Sequence, residues 1–314
     1  YCYDHSGKQL WNKPMGPFNN NFGAGSSPLI VGDRIILCQD HDLGSFLMAI
    51  NKKTGEIIWN KDRSEFPRNY CTPIIWENAG KKQIVIAATL RVVGYDLETG
   101  NEAWTVRGIS RMVSCSPTVG DDGMLYVAGW AAGGDENERI SAEPFDSVAE
   151  LKDTDKSGTL EESELKDGPI HQRFSQADRN KDGKLTKAEY EYFRNLFADG
   201  KNVVISIKPG ASGEATDSHV VWRHSRLVPF CASPLYVNGL IFTIKDGGVL
   251  QCLNAKTGKQ LKQQRLEASK SYYASPVSGD GKVYLLDEIG ELTVVKANDQ
   301  GEVLHTAEFK EDVY

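Results

Sequence analysis

The sequence predicts an all-β fold, a β-propeller of four-stranded blades with a small α-helical insertion. Three observations predict it: a recurring hairpin motif, a proline marker in step with it, and one acidic stretch that breaks the rhythm. The hairpin is first complete at Ala49-Ile50-Asn51-Lys52-Lys53-Thr54-Gly55-Glu56-Ile57-Ile58-Trp59. It returns at 94–104 and, weakened, at 252–261. Each copy reads as strand, tight turn, strand. Asn or Asp can bond its own backbone two residues on, and Gly supplies positive φ. The Trp ends the outgoing strand and offers a large flat surface to a neighbour. One such hairpin cannot bury its own apolar face, so repetition is what makes it stable.

The marker is a small residue before proline: Ser27-Pro28, Thr72-Pro73, Ser116-Pro117, Ser233-Pro234 and Ser275-Pro276. Successive prolines stand 45, 44, 117 and 42 residues apart. A period of roughly 40–50 residues with about four short strands per unit is the mark of a propeller blade. Stacked sandwiches are the alternative. Excising residues 135–200, which number 66, shortens the long interval to 51. The insertion therefore interrupts a hairpin inside one blade. The chain thus divides into three segments: propeller over 1–134, insertion over 135–200, propeller again over 201–314.

Taken in order, residues 1–16 read as the end of a blade, closing on the shortened hairpin 1–11. A polar loop from Pro14 to Asn21 comes next. Blade one covers 28–60, with a Gly32-Asp33 turn between apolar runs. Blade two runs over 72–106. Blade three begins at Ser116, breaks after Trp130, and resumes from Asn202 to Trp222. Blades four and five occupy 233–262 and 275–306, the last with no Trp and a poorer turn at 298–302. About five complete blades and a partial one would leave open strand edges, which proteins usually avoid. The expectation is a segment of a longer protein.

Of the 314 residues, 40% are apolar and 25% charged, as in soluble globular chains. No apolar run approaches the ~20 residues that span a bilayer. The opening Tyr1-Cys2-Tyr3-Asp4 lacks the features of a signal peptide. The net charge is −7, and residues 135–200 account for it, with 17 acidic and 10 basic side chains. The remainder is neutral, so charge gives no indication of nucleic-acid binding. Cys71, Cys115 and Cys231 each fall just before a marker. Cys2 and Cys252 occupy matching inner-strand positions, and Cys38 lies on another strand. Buried thiols in a repeated core slot explain this placement; bridges or metal ligation are the alternative. There is no Cys-x-x-Cys spacing.

The insertion holds two twelve-residue loops with the spacing of calcium ligands. In the first, Asp153, Asp155 and Ser157 present side-chain oxygens at positions 1, 3 and 5. Thr159 offers its carbonyl at 7, Glu161 stands at 9, and Glu164 supplies a bidentate carboxylate at 12. In the second the same roles fall to Asp178, Asn180, Asp182, Lys184 (backbone oxygen only), Thr186 and Glu189. Gly158 and Gly183 make the sharp turn at position 6. An accidental acidic loop is the bland reading, and tandem occurrence weighs against it. Both loops resemble the EF-hand family across residues 145–197. The first departs from the usual plan: Asp167-Gly168-Pro169 leaves its exit helix about one turn. The second exit helix is longer, with Tyr190, Phe193 and Phe197 on one face. The pair reads as a structural clip rather than a sensor.

The hairpin pattern Ala-x-Asn/Asp-x-x-Thr-Gly-x-x-x-Trp resembles the tryptophan-docking repeat of PQQ-like, quinoprotein dehydrogenase-like propellers. The resemblance covers nearly all of the chain outside the insertion. It implies a propeller in a periplasmic or secreted setting. It also implies, as one option, a quinone (PQQ)-dependent alcohol or sugar oxidoreductase. Quinoprotein alcohol dehydrogenases use adjacent cysteines, a central Ca²⁺ and an Asp base; no Cys-Cys pair occurs here. The family also includes non-enzymatic members, such as a lipoprotein of the outer-membrane β-barrel assembly machinery. Fold alone does not confer chemistry.

Arg68, Arg111, Arg226 and Lys270 each lie five to eight residues before a marker proline. They fall on equivalent inter-blade connections, where like charges would favour an anionic ligand. Solvated loop residues are the bland reading. No nucleophile elbow, zincin motif or phosphate loop is present, so no catalytic residue is assigned. The sequence reading is a scaffold with two Ca²⁺ sites, recruiting a protein or anionic ligand on a propeller face. The quinone-dependent oxidoreductase is the alternative.

Overall fold

A computed structural model describes residues 1–18, 20 and 22–313. Asn19 and Asn21, in the expected polar loop, and Tyr314 lie outside the described residues. The chain opens with a two-stranded half blade, β1 (Cys2–Tyr3) and β2 (Gln9–Trp11). Blade one is β3 (Leu29–Val31), β4 (Arg34–Gln39), β5 (Phe46–Asn51) and β6 (Ile57–Asp62). Blade two is β7 (Ile74–Asn78), β8 (Lys81–Ala88), β9 (Arg91–Asp96) and β10 (Glu102–Arg107). Blade three opens with β11 (Thr118–Val119) and β12 (Leu125–Gly129).

The insertion then supplies α1 (Phe145–Lys152), β13 (Leu160–Glu161), α2 (Glu162–Leu165), α3 (Gly168–His171), α4 (Phe174–Ala177), β14 (Lys184–Leu185) and α5 (Lys187–Asp199). Blade three resumes with β15 (Val203–Ile207). After β16 (Gly213–Glu214) and α6 (Thr216–His219) it closes with β17 (Val220–His224). Blade four is β18 (Leu235–Val237), β19 (Leu240–Lys245), β20 (Val249–Asn254) and β21 (Gln260–Arg265). Blade five is β22 (Val277–Gly279), β23 (Lys282–Leu286), β24 (Glu291–Lys296) and β25 (Val303–Glu308).

Within each blade the strands pair antiparallel in chain order. The first strands of blades three, four and five touch one another, so the first strand is the innermost. The recurring hairpin is accordingly the third and fourth strands. Cys252 stands on a third strand rather than the inner one expected. All six cysteines are free thiols, and Cys38, Cys71, Cys115 and Cys252 are buried.

The turn chemistry is the same in each copy. The Oδ1 of Asn51 accepts from the Lys53 and Thr54 amides at 2.9 and 3.2 Å. Asp96 and Asn254 accept from the Thr99 and Thr257 amides at 2.8 and 3.0 Å. The next glycine donates its amide back to the first residue's carbonyl at 2.8–2.9 Å in Gly55, Gly100 and Gly258. After the turn a bulge skips one residue of the fourth strand: Leu10, Ile58, Ala103, Val221, Leu261 or Leu304. The skipped residue is turned out, which accounts for the exposure of Leu10, Ile58, Val221, Leu261 and Leu304. A bulge re-aims the side chain after it, and here that side chain holds the tryptophan position.

Three of the re-aimed indoles cross to the next blade. Trp11, Trp59 and Trp222 donate their indole N–H to the carbonyls of Lys52, Leu97 and Ala255 at 3.1, 3.4 and 2.8 Å. Each ring covers the turn glycine there. A Cβ on Gly258, whose φ is +69°, would lie 2.5 Å from the Trp222 ring. Gly258→Ala should therefore cost about 1–3 kcal/mol, combining overpacking with left-handed strain. Urea unfolding checks this, and an unchanged midpoint would mean that the indole is free to move away.

The third Trp breaks the rule. Trp104 is buried against Gly94 of its own blade and donates to Gln83 Oε1 at 2.7 Å. Trp76 takes over the crossing and donates to the Gly123 carbonyl at 3.0 Å. The cause is the long connection between β15 and β17. It lays β16 parallel on the edge of β10, with Gly213 opposite Trp104. Asn78 pins this connection, accepting from Gly210 N at 2.5 Å and donating to the Ala211 carbonyl at 2.9 Å.

The proline markers link blades near the axis. The amides of Ser27, Ser116 and Ser233 donate to the hydroxyls of Thr72, Ser233 and Ser275 at 3.1, 3.0 and 3.0 Å. The hydroxyl-bearing residue thus accepts from the matching position of the preceding blade. The proline after it needs no amide partner of its own.

Candidate functional site

The insertion fills the connection between β12 and β15, which remain paired neighbours. It has its own core of Phe145, Leu160, Leu165, Ile170, Phe174, Leu185, Tyr190, Phe193 and Phe197. α2 is a single turn, after which Lys166 and Gly168 take positive φ. Pro169 then enters the first turn of α3, where its missing amide is harmless. α5 begins at a capping box of Thr186 and Glu189. It ends where Arg139 donates to the carbonyls of Phe197, Ala198 and Gly200.

The two acidic loops share one backbone. Lys156 and Gly158 in the first match Lys181 and Gly183 in the second, all with positive φ. β13 and β14 join the loops with Leu160 opposite Leu185. In the first loop, oxygens of Asp153, Asp155 and Glu164 all lie within 4.8 Å of one another. Asp153 accepts from the amides of Ser157 and Gly158 at 3.0 and 2.9 Å. The amides of Glu161 and then Thr154 hold the Glu164 carboxyl down at about 2. Thr159 and Glu161 flank this group, and Lys184 reaches Glu161 at 3.2 Å. In the second loop, Asp178 accepts from Asp182 N and Gly183 N at 3.2 and 2.9 Å. Asn180 donates to Asp182, and Glu189 turns to Thr186. Its carboxylates form no such close triplet among the described residues.

The insertion reaches the loops of blade one. Arg179, beside Asp178, donates to the carbonyls of Asp42 at 3.2 Å and Ser64 at 3.1 Å. Tyr192 donates to the Glu65 carbonyl at 3.4 Å. Between the bodies lies a cleft of about 160 Å³ lined by Arg68, Arg111 and Arg179. Asp42 binds Arg68 through both carboxylate oxygens, at 2.7 and 2.6 Å. Two of the four expected cationic residues thus meet here. Arg226 and Lys270 are exposed and lie outside the cleft. Arg179 was missed: position 2 of a calcium-type loop carries no ligand role, and only the fold brings it to residues 42 and 64.

Against known proteins, the family described as outer membrane protein assembly factor BamB matches residues 1–132 and 183–312. No curated protein matches the chain. The crystal structure of BamB from Moraxella catarrhalis aligns with a TM-score of 0.55 at 14% identity, over 91% of this chain and 64% of that one. The computationally designed Ika8 protein aligns at 0.53 and 9% identity, over 92% and 63%. The chain thus spans a little under two thirds of the length of these structures. No helix among the described residues is long and apolar enough to cross a membrane. The family match takes in the strands of every blade, and the chain is a PQQ-like repeat β-propeller belonging to the family of the outer membrane protein assembly factor BamB.

Proposed function

We propose that the chain is a calcium-binding propeller that acts as an interaction scaffold in the periplasm or outside the cell, recruiting a protein or anionic ligand on a propeller face. The observation that carries this is the family match across the blades, because the family's description is that of an assembly factor. The face bearing the insertion is the favoured one, since it combines a projecting module with a cationic cleft. One Ca²⁺ would be held by Asp153, Asp155, Ser157, Thr159, Glu161 and Glu164. A second would be held by Asp178, Asn180, Asp182, Lys184, Thr186 and Glu189. The convergence of three carboxylates in the first loop fits a hard cation that takes six to eight oxygens. The ion would cross-link each loop and leave the propeller sheets unchanged.

The quinone-dependent oxidoreductase fits less well. The sequence has no adjacent cysteine pair of the kind those enzymes use. Two measurements test the scaffold reading. Calorimetry with CaCl₂ should find two sites, and chemical cross-linking in envelope fractions should yield a specific protein adduct. Dye reduction with an alcohol or sugar after adding PQQ and Ca²⁺ would overturn it.

A further inference from the structure

We propose that the cleft between the insertion and the propeller face binds an oxyanion, the carboxylate or phosphate group of an incoming ligand, through Arg111 and Arg179 with Arg68 beside them. The three guanidiniums come from separate segments of the chain, and the described residues that line the cleft include one carboxylate, Asp42. Both oxygens of Asp42 are already taken by Arg68. Among the described residues Arg111 makes only long bonds, 3.4 and 3.3 Å, to the Ala132 carbonyl. The bonds of Arg179 likewise end on carbonyls. A carbonyl satisfies an N–H but neutralises no charge. Neither arginine forms an ion pair among the described residues, whereas Arg34, Arg63, Arg68 and Arg91 each have a carboxylate.

Aromatic rings hold the two unpaired cations in place. Arg111 sits 4.2 Å from the centre of the Phe197 ring and Arg179 4.6 Å from that of Tyr192. Stacking stabilises a guanidinium plane and leaves N–H edges for a planar, bidentate acceptor. Burial, then repulsion from Arg173 and Arg68, pushes Arg111 down to about 10. Arg111 as it stands is therefore held at an electrostatic cost, and an oxyanion in the cleft would relieve that cost. Phe193 and Leu196 add an apolar wall for the stem that carries the charge. The volume suits one acidic group and a short stem rather than a ring cofactor. The inference does not depend on which partner the propeller recruits.

Calorimetric titration of the calcium-saturated protein tests it with three probes: inorganic phosphate, succinate, and a short Asp/Glu peptide with blocked ends. At least one should bind, weakening as salt rises. Arg111→Gln and Arg179→Met should each reduce that affinity tenfold or more, and Arg111→Lys by less than Arg111→Gln. Circular dichroism confirms folding, and Arg179→Met serves if Arg111→Gln does not fold. Binding of the peptide alone assigns the oxyanion to a protein partner. Binding of phosphate or succinate assigns it to a free small anion. No heat with any probe, or affinity that survives both replacements, overturns the proposal.

Discussion

Replacing Arg63 by Met should destabilise the chain by about 3–5 kcal/mol, read as a fall in the urea midpoint. Arg63 and Asp40 form a buried pair, 1% and 2% exposed at their side chains. Two parallel bonds of 2.8 Å join them. A further N–H of Arg63 donates to the Tyr95 hydroxyl, and Phe66 lies 4.1 Å from the guanidinium carbon. Burial favours loss of the guanidinium proton. Asp40, then Tyr95 and Cys38, outweigh that and hold Arg63 charged. Truncating the arginine leaves a carboxylate in the core with, among the described residues, only the Cys38 thiol, 3.5 Å away, as a donor. The expense is the uncompensated charge and not the loss of a favourable contact, because desolvation largely cancels what a buried pair gains. The double variant Asp40→Leu with Arg63→Met should therefore recover most of the lost stability. If the single variant matches the parent, or the double variant is no better than the single, this account is wrong.

The pair also shows where the sequence stopped being informative. In Asp62-Arg63-Ser64 the arginine reads as a solvated residue after a strand. Only the return of the chain through Tyr95 and Phe66 buries it. The blades were legible because their signal is local: Asn or Asp, Thr and Gly within five residues fix a turn, and the bulge then aims the Trp. The exchange of Trp104 for Trp76 was not legible. It is decided by β16, more than a hundred residues downstream, lying on β10. The Ser/Thr-Pro marker was visible as a repeat, but its reason, a hydroxyl accepting from the preceding blade, needs the neighbouring blade in place. The acidic loops were legible as a repeated local turn, since their lysine and glycine at matching positions take the same positive φ; the ligand roles rest on position alone and are proposed. Their contact with blade one was not, because Arg179 reaches carbonyls, which every residue has.

Removing calcium should lower the melting temperature of the insertion and leave the propeller's transition in place. The insertion has a core separate from those of the blades, so the two bodies can report separately. An ion bound only by the folded form stabilises it by about 2.7 kcal/mol when free Ca²⁺ is a hundred times Kd. EDTA should remove that stabilisation. Glu164→Gln and Glu189→Gln should each abolish one site's share, because each would remove the carboxylate proposed to bind the ion bidentately at position 12. Differential scanning calorimetry with and without EDTA measures both effects. The same titration decides between clip and switch. In a switch, calcium swings helices apart and bares an apolar groove. Here α2 is one turn long and gives way at once to Lys166 and Gly168 in positive φ, so it offers no lever. A groove beside Val148, Leu151 and Ile170 is already open, and Leu151 is 83% exposed. Fluorescence of an apolar dye should therefore stay level as calcium is added, while the melting temperature climbs. A rise in dye signal would make the insertion a sensor, and a melting temperature indifferent to EDTA would remove calcium from the account.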